Sequence, residues 1–177
     1  FAKTTVNPLG HVVTTQYYGV DGVATDKGLF GQVKSVTDPN NQTTTSEYDA
    51  FGRKSKTTTP DGLITTATYN YGTGFTIGTQ HVLTSTSGAG LATALTSATY
   101  FDGLGRSLKK ESTGPDAKII VTEVQYDSRG AVRKKSLAYF KTLESVTGRW
   151  ATTSYDALGR VVRMARPDST RGLACFA

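Results

Sequence analysis

A tyrosine, an aspartate, two spacers, a glycine and usually an arginine recur along this chain too regularly for chance. They stand as YDAFGR at 48–53, FDGLGR at 101–106, YDSRGA at 126–131 and YDALGR at 155–160. A motif that returns makes the chain a string of like units, which limits the fold to repeat architectures. Prolines give a second ruler: Pro8, Pro39 and Pro60 each precede a tyrosine (Tyr17, Tyr48, Tyr69) by nine positions. Arg53 precedes Pro60 by seven, as Arg160 precedes Pro167. The basic unit is then 21 residues, the distance from Tyr48 to Tyr69. Spacings of 31 from Tyr17 to Tyr48 and from Tyr69 to Tyr100 read as that unit with ten residues inserted. The steps to Tyr126 and Tyr155, 26 and 29, are looser.

Each part of the unit has a physical reading. In DAFG (49–52) and DALG (156–159) an aspartate opens the turn and a glycine closes it. Those are the preferred residues of a type I turn, where the carboxylate accepts a backbone N–H. Gly52, Gly105 and Gly159 are expected at positive φ, which suits a residue without a Cβ. In TPDG (59–62) proline presets φ and glycine again closes the turn. Segments 53–59 and 63–69 between the turns alternate their side chains as strands do. One unit is therefore a β-hairpin. The expected fold is all-β, successive antiparallel β-hairpin repeats over 1–169 forming a curled ribbon. Residues 72–99 read as a longer inserted hairpin turning at SGAG (87–90), and 170–177 as a divergent C-terminal tail.

Composition agrees. Thirty of the 177 residues are threonine and 19 are glycine, whereas only 37% are hydrophobic. Threonine favours strands through its branched β-carbon. The net charge of +6 is modest for this length, and the densest cationic run is RKK at 133–135. Arg129, Arg133, Lys134 and Lys135, with Lys109 and Lys110, could suggest a nucleic-acid patch. Asp49, Asp102, Asp127 and Asp156 recur beside such cations and offset the field, and the aromatics sit at turn boundaries rather than along a basic groove. No nucleic-acid partner is expected. Nor does any stretch approach the roughly 18 apolar residues that span a bilayer. A single cysteine, Cys175, excludes an internal disulfide framework.

Little points to catalysis. His11 and His81 are the only histidines, neither near another candidate ligand in sequence, so no metal site or cofactor is expected. Carboxylates such as Asp116 and Glu123 discriminate nothing. The repeated tyrosines and arginines read as structural: each tyrosine is expected to end a strand and pack beside its equivalent in the next hairpin, its aspartate capping the turn.

The combination of Tyr-Asp-x-x-Gly-Arg, a basic strand and Pro-Asp-Gly resembles the YD-repeat (Rhs-repeat) family. The motif is carried by Tyr48, Asp49, Gly52 and Arg53; by Phe101, Asp102, Gly105 and Arg106; by Tyr126, Asp127 and Gly130; and by Tyr155, Asp156, Gly159 and Arg160. Phe101 replaces the tyrosine once, and Ala131 the arginine once. NPLGH (7–11), DPNNQ (38–42) and PDG (60–62) look like the family's other turn. The resemblance implies a non-enzymatic wall segment of a β-shell, in a secreted or cell-surface bacterial protein, enclosing or scaffolding a toxin or other effector domain. Its implied partners are neighbouring repeats of the parent protein and the enclosed domain. The alternative is an adhesin-like module binding carbohydrate or protein. An isolated segment is expected to pair edge to edge with copies of itself, strands 63–69 and 119–126 being the least guarded by charge.

Overall fold

The computed structural model describes residues 1–20, 30–71, 79–88, 90–142 and 149–168, with the backbone of 171–173. The strands are β1 (Thr4–Val6), β2 (Val12–Tyr17), β3 (Val33–Thr37), β4 (Thr43–Tyr48), β5 (Lys54–Thr58), β6 (Ile64–Asn70) and β7 (His81–Ser87). They continue as β8 (Leu95–Phe101), β9 (Ser107–Thr113), β10 (Ile119–Tyr126), β11 (Val132–Ser136), β12 (Tyr139–Phe140), β13 (Trp150–Tyr155), β14 (Val161–Ala165) and β15 (Arg171–Leu173). Among the described residues strand order follows chain order, and β12 alone leaves the path, pairing with β10. The fold is all-β and antiparallel. β6 and β10 each lie between two strands, so the segments expected to be weakly guarded edges are interior, and β1 and β15 end the order.

Two compact units divide the chain: Phe1–Thr68 with Thr84–Leu95, and Tyr69–Leu83 with Thr96–Ala177. In the first, β-branched hydroxyls pair across strands, Thr37 with Thr43 at 2.8 Å and Thr65 with Thr86 at 3.0 Å. Each such pair adds a few tenths of a kcal/mol to about 1 kcal/mol beyond the main-chain ladder. In the second, Thr96 and Thr113 do the same at 2.9 Å.

Among the described residues the buried apolar side chains are only Ala98 and Val121, and the buried polar ones are Ser35 and Ser46 in the first unit and Asp102 and Ser136 in the second. Ala98 and Val121 are both cross-strand partners of Glu111. Burial therefore does less here than pairing. This is why a threonine-rich, weakly hydrophobic sequence can hold the fold.

Within the segment expected to be one inserted hairpin, β7 and β8 are the arms and the turn carries a Leu91 N–H to Gly88 carbonyl bond of 3.0 Å. Ala89 of that turn lies outside the described residues, as do 72–78 and Cys175 in the tail. At Ser136 the second unit forks. The Ser136 hydroxyl accepts the Glu123 N–H at 2.7 Å, and the Leu137 N–H turns to the Arg149 carbonyl at 2.8 Å. β12 then resumes pairing with β10.

Candidate functional site

The aspartate turns share one hydrogen-bond frame. In the first, the Asp49 N–H donates to the Arg53 carbonyl at 2.8 Å and the Gly52 N–H to the Asp49 carbonyl at 2.9 Å. Asp102, Asp127 and Asp156 repeat both bonds with their own partners within 0.2 Å. Gly52, Gly105, Gly130 and Gly159 stand at φ of 75°, 77°, 85° and 82°, as the turn chemistry requires. The carboxylates do more than accept one N–H. Oδ1 of Asp102 takes the N–H groups of Leu104 and Arg106, both at 2.9 Å, while Oδ2 takes Arg106 Nε at 2.7 Å. Asp49 and Asp156 make the equivalent three bonds. At Asp127 the arginine position holds Ala131, and Arg129 at the turn tip brings its Nη2 to 3.6 Å of the carboxylate instead.

These contacts set the ionisation of the turn. The Arg53 guanidinium, with the Arg53 and Phe51 N–H groups, holds Asp49 below its ordinary value. Burial opposes ionisation at Asp102, yet the Arg106 N–H and guanidinium prevail and lower it too. Asp127 is lowered chiefly by the Ala131 N–H and Asp156 chiefly by the Arg160 N–H.

The tyrosines act between hairpins. The hydroxyl of Tyr48 donates to the Val33 carbonyl at 3.0 Å, that of Tyr126 to Ser107 at 2.9 Å, and that of Tyr155 to Val132 at 2.9 Å. In each case the acceptor is the residue paired with the tyrosine position of the preceding hairpin: Val33 opposite Tyr17, Ser107 opposite Phe101, Val132 opposite Tyr126. Each tyrosine, expected to end its strand beside its equivalent in the next hairpin, thus makes a hydroxyl-to-carbonyl stitch. Phe101, lacking the hydroxyl, cannot make it. Side chains near the turns reach the opposite way, to the following hairpin. Gln32 Nε2 donates to the Gly52 carbonyl at 3.3 Å and Arg129 Nη1 to the Asp156 carbonyl at 3.0 Å, while Arg106 lies 4.5 Å over the Tyr126 ring.

Two features of the site escape the motif. First, among the described residues five hairpins carry the same register shift beside the turn. One residue on the outgoing strand is left over: Lys34, Ser55, Leu108, Arg133 or Val162. Each is a β-bulge beside an aspartate-type turn. Phe101, not Tyr100, occupies the equivalent of Tyr48, so the tyrosine ruler slips by one there. Second, Tyr18 and Gly31 close an aspartate-type frame without an aspartate. The Tyr18 N–H donates to the Gln32 carbonyl and the Gly31 N–H to the Tyr18 carbonyl, both at 2.9 Å. That span is fourteen residues against four in Asp49–Gly52, which locates the ten-residue insertion between Tyr17 and Tyr48.

The proline turns use the same backbone frame at the other end of the strands. Asn7 and Asp38 accept two N–H groups each through Oδ1. Thr59 closes its turn with Leu63 and Gly62, and Gly114 with Lys118. The last of these has Asp116 and Ala117 at φ of 53° and 56° where glycine is the easy choice.

Other candidates are occupied internally. The Tyr100 ring has His81 at 4.8 Å and Lys109 Nζ at 4.0 Å, and Glu111 is bridged by Lys109 and Lys141, each at 2.9 Å. Tyr139 donates to Glu123, and burial followed by that carboxylate pushes its hydroxyl up to about 12. Among the described residues no group of three or more His, Cys, Asp or Glu is placed to hold a metal, and no helix is long and apolar enough to cross a membrane.

Turn, stitch and bulge together define a chain of antiparallel hairpins in which each repeat is bonded to the one before. Residues 30–64, which span the stitch from Tyr48 and the whole Asp49 turn, match the family model described as RHS Repeat, so the chain carries that repeat. No curated protein is similar enough to count as a relative. Among solved structures, TcdB2-TccC3 without its hypervariable C-terminal region is 13% identical, with a TM-score of 0.41 over 96% of this chain and 11% of that one. TcdB2-TccC3-TEV is 12% identical, with a TM-score of 0.40 over 92% of this chain and 11% of that one. The Photorhabdus luminescens Tc holotoxin pore with a TccC3 variant is 14% identical, with a TM-score of 0.33 over 94% and 12%. At TM-scores below 0.5 these likenesses decide nothing about the fold, which the strand pairing already establishes. The chain spans about a tenth of the length of each.

Proposed function

We propose that this chain is a non-enzymatic wall segment of an RHS-repeat β-shell in an exported bacterial protein, with repeat register running over 1–169. It contains or scaffolds an effector domain of the parent protein. The RHS match supports the structural role. The observation that carries the reading is the stitch: the hydroxyls of Tyr48, Tyr126 and Tyr155 and the guanidiniums of Arg53, Arg106 and Arg160 bond within the sheet. Groups so engaged hold a wall together and leave little for a diffusible ligand, which disfavours the carbohydrate-binding alternative. In the parent protein, the neighbouring repeats pair with the β1 and β15 ends of the strand order.

Limited proteolysis of the parent protein tests this. The effector should be protected while the repeats are intact and cleaved once stitches are removed by Tyr126→Phe with Tyr155→Phe. An effector equally sensitive in both proteins would sink the containment reading. Binding of the intact chain on a glycan array, lost on turn-tyrosine substitution without loss of folding, would instead favour the adhesin-like one.

A further inference from the structure

Charge is unequally shared between the two faces of the second unit. Cross-strand partners and strand alternation put Lys109, Glu111, Glu123 and Lys134 on one face of β9, β10 and β11, and Lys110, Thr122, Val124 and Lys135 on the other. Among the described residues Glu111 and Glu123 are the only carboxylates within this unit's strands, so the second face has none. Lys110 and Lys135 hold the same place in successive hairpins, eight residues after Asp102 and Asp127. Arg166 joins them one residue past β14, since Lys135 faces Ala151 and the register of Thr152 with Ala165 sets Ala151 opposite Arg166. All three cations are exposed, and no described residue pairs with any of them. Asp168, in the turn beyond, already has a partner.

With strands about 4.8 Å apart and a rise of about 3.3 Å per residue, Lys135 stands about 10 Å from Arg166 and about 12 Å from Lys110. The floor between them is Thr122, Val124 and Ala151, whose short side chains leave the cations standing clear. A nucleic-acid base would find no ring to stack on there. Three cations without counter-charge set up a positive potential over that face, and carboxylates complement it. We infer that this face of the second unit docks an acidic polypeptide, its carboxylates on Lys110, Lys135 and Arg166. Such docking depends on charge placement alone, so it does not require the shell reading.

NMR titration of the chain with a deca-glutamate peptide at low salt tests the docking face. The side-chain εCH2 signals of Lys110 and Lys135 should move more than those of Lys109 and Lys134. Lys110→Ser with Lys135→Ser should weaken binding by about tenfold or more. The opposite face supplies a control of equal charge, because Lys134 and Arg163 lie there. Lys134→Ser with Arg163→Ser should weaken binding by less than about threefold. Lys135→Gln alone should weaken it about threefold, and it decides the matter if the first double variant misfolds. No binding, equal losses in the two double variants, or a dT10 oligonucleotide bound as tightly as the peptide would overturn the assignment.

Discussion

The two ends of these hairpins use one backbone turn and two different side-chain schemes. At the proline end, Asn7, Asp38 and Thr59 satisfy their own turn. At the aspartate end the carboxylate binds two N–H groups, an arginine locks it, and a tyrosine crosses to the preceding hairpin. Local closure needs only an Asx or hydroxyl side chain. Bonding repeat to repeat needs the longer side chains, which is why the aspartate end has the richer motif.

The comparison can be broken most directly at the carboxylates. Asp102→Ala strands two N–H groups and a guanidinium, whereas Asp61→Ala removes the bond from the Thr59 hydroxyl and a weak contact from the Leu63 N–H. The first should lower the urea midpoint by roughly twice as much as the second or more. Equal losses would mean the ends do not differ. Acid acts on the same groups. Asp49, Asp61, Asp102, Asp127 and Asp156 all ionise below the ordinary 3.8 in the fold. Their contribution is complete above the unfolded value and is lost as pH falls through the lowered ones. Stability followed by circular dichroism should therefore decline below about pH 4.

What the ends share is tested by glycine. Gly62 and Gly159 have φ of 83° and 82°, and a Cβ at either meets nothing within 4 Å. Gly62→Ala and Gly159→Ala should each cost about 1–2 kcal/mol, with similar thermal shifts. A large difference between them would show that one turn relaxes.

Tyrosine isolates what only one end has. Tyr126→Phe should cost about 1 kcal/mol in a urea titration, the net worth of a hydrogen bond. The reverse change, Phe101→Tyr, should gain about 0.5 kcal/mol by adding the missing stitch. Smallest is Ala117→Gly at the proline end, where relief of a left-handed alanine outweighs lost chain entropy by roughly a few tenths of a kcal/mol. A loss of stability there would mean the turn tolerates its alanine.

Much of this could be read from residue types. Aspartate, glycine and proline announce turns because each solves a local backbone problem. Both turn sets, the positive φ of Gly52, Gly105 and Gly159 and the all-β class follow from them. What side chains do across hairpins was not readable. The bulge residues Lys34, Ser55, Leu108, Arg133 and Val162 share no chemistry, since a register slip is set by two strands together. At the third hairpin the two sequence rulers disagree, the spacing landing on Tyr100 and the FDGLGR motif on Phe101, and pairing with Ser107 agrees with the motif. The Tyr18–Gly31 frame was hidden because its side chains differ and ten residues intervene, though its hydrogen bonds do not change.

That frame has a use in engineering. Two backbone bonds, from the Tyr18 and Gly31 N–H groups, close the hairpin whatever lies between them. The aspartate turn is then a splice port: a loop of four residues or fourteen fits the same socket without moving the strand register. Replacing 18–31 with Asp-Ala-Phe-Gly should yield a shorter chain with the Tyr48 stitch unaltered. Conversely, a foreign peptide or small domain with closely spaced termini can be displayed from the Asp49, Asp102 or Asp156 turns. In the strand order the Asp102 and Asp156 turns stand two hairpins apart, with the Asp127 turn between them.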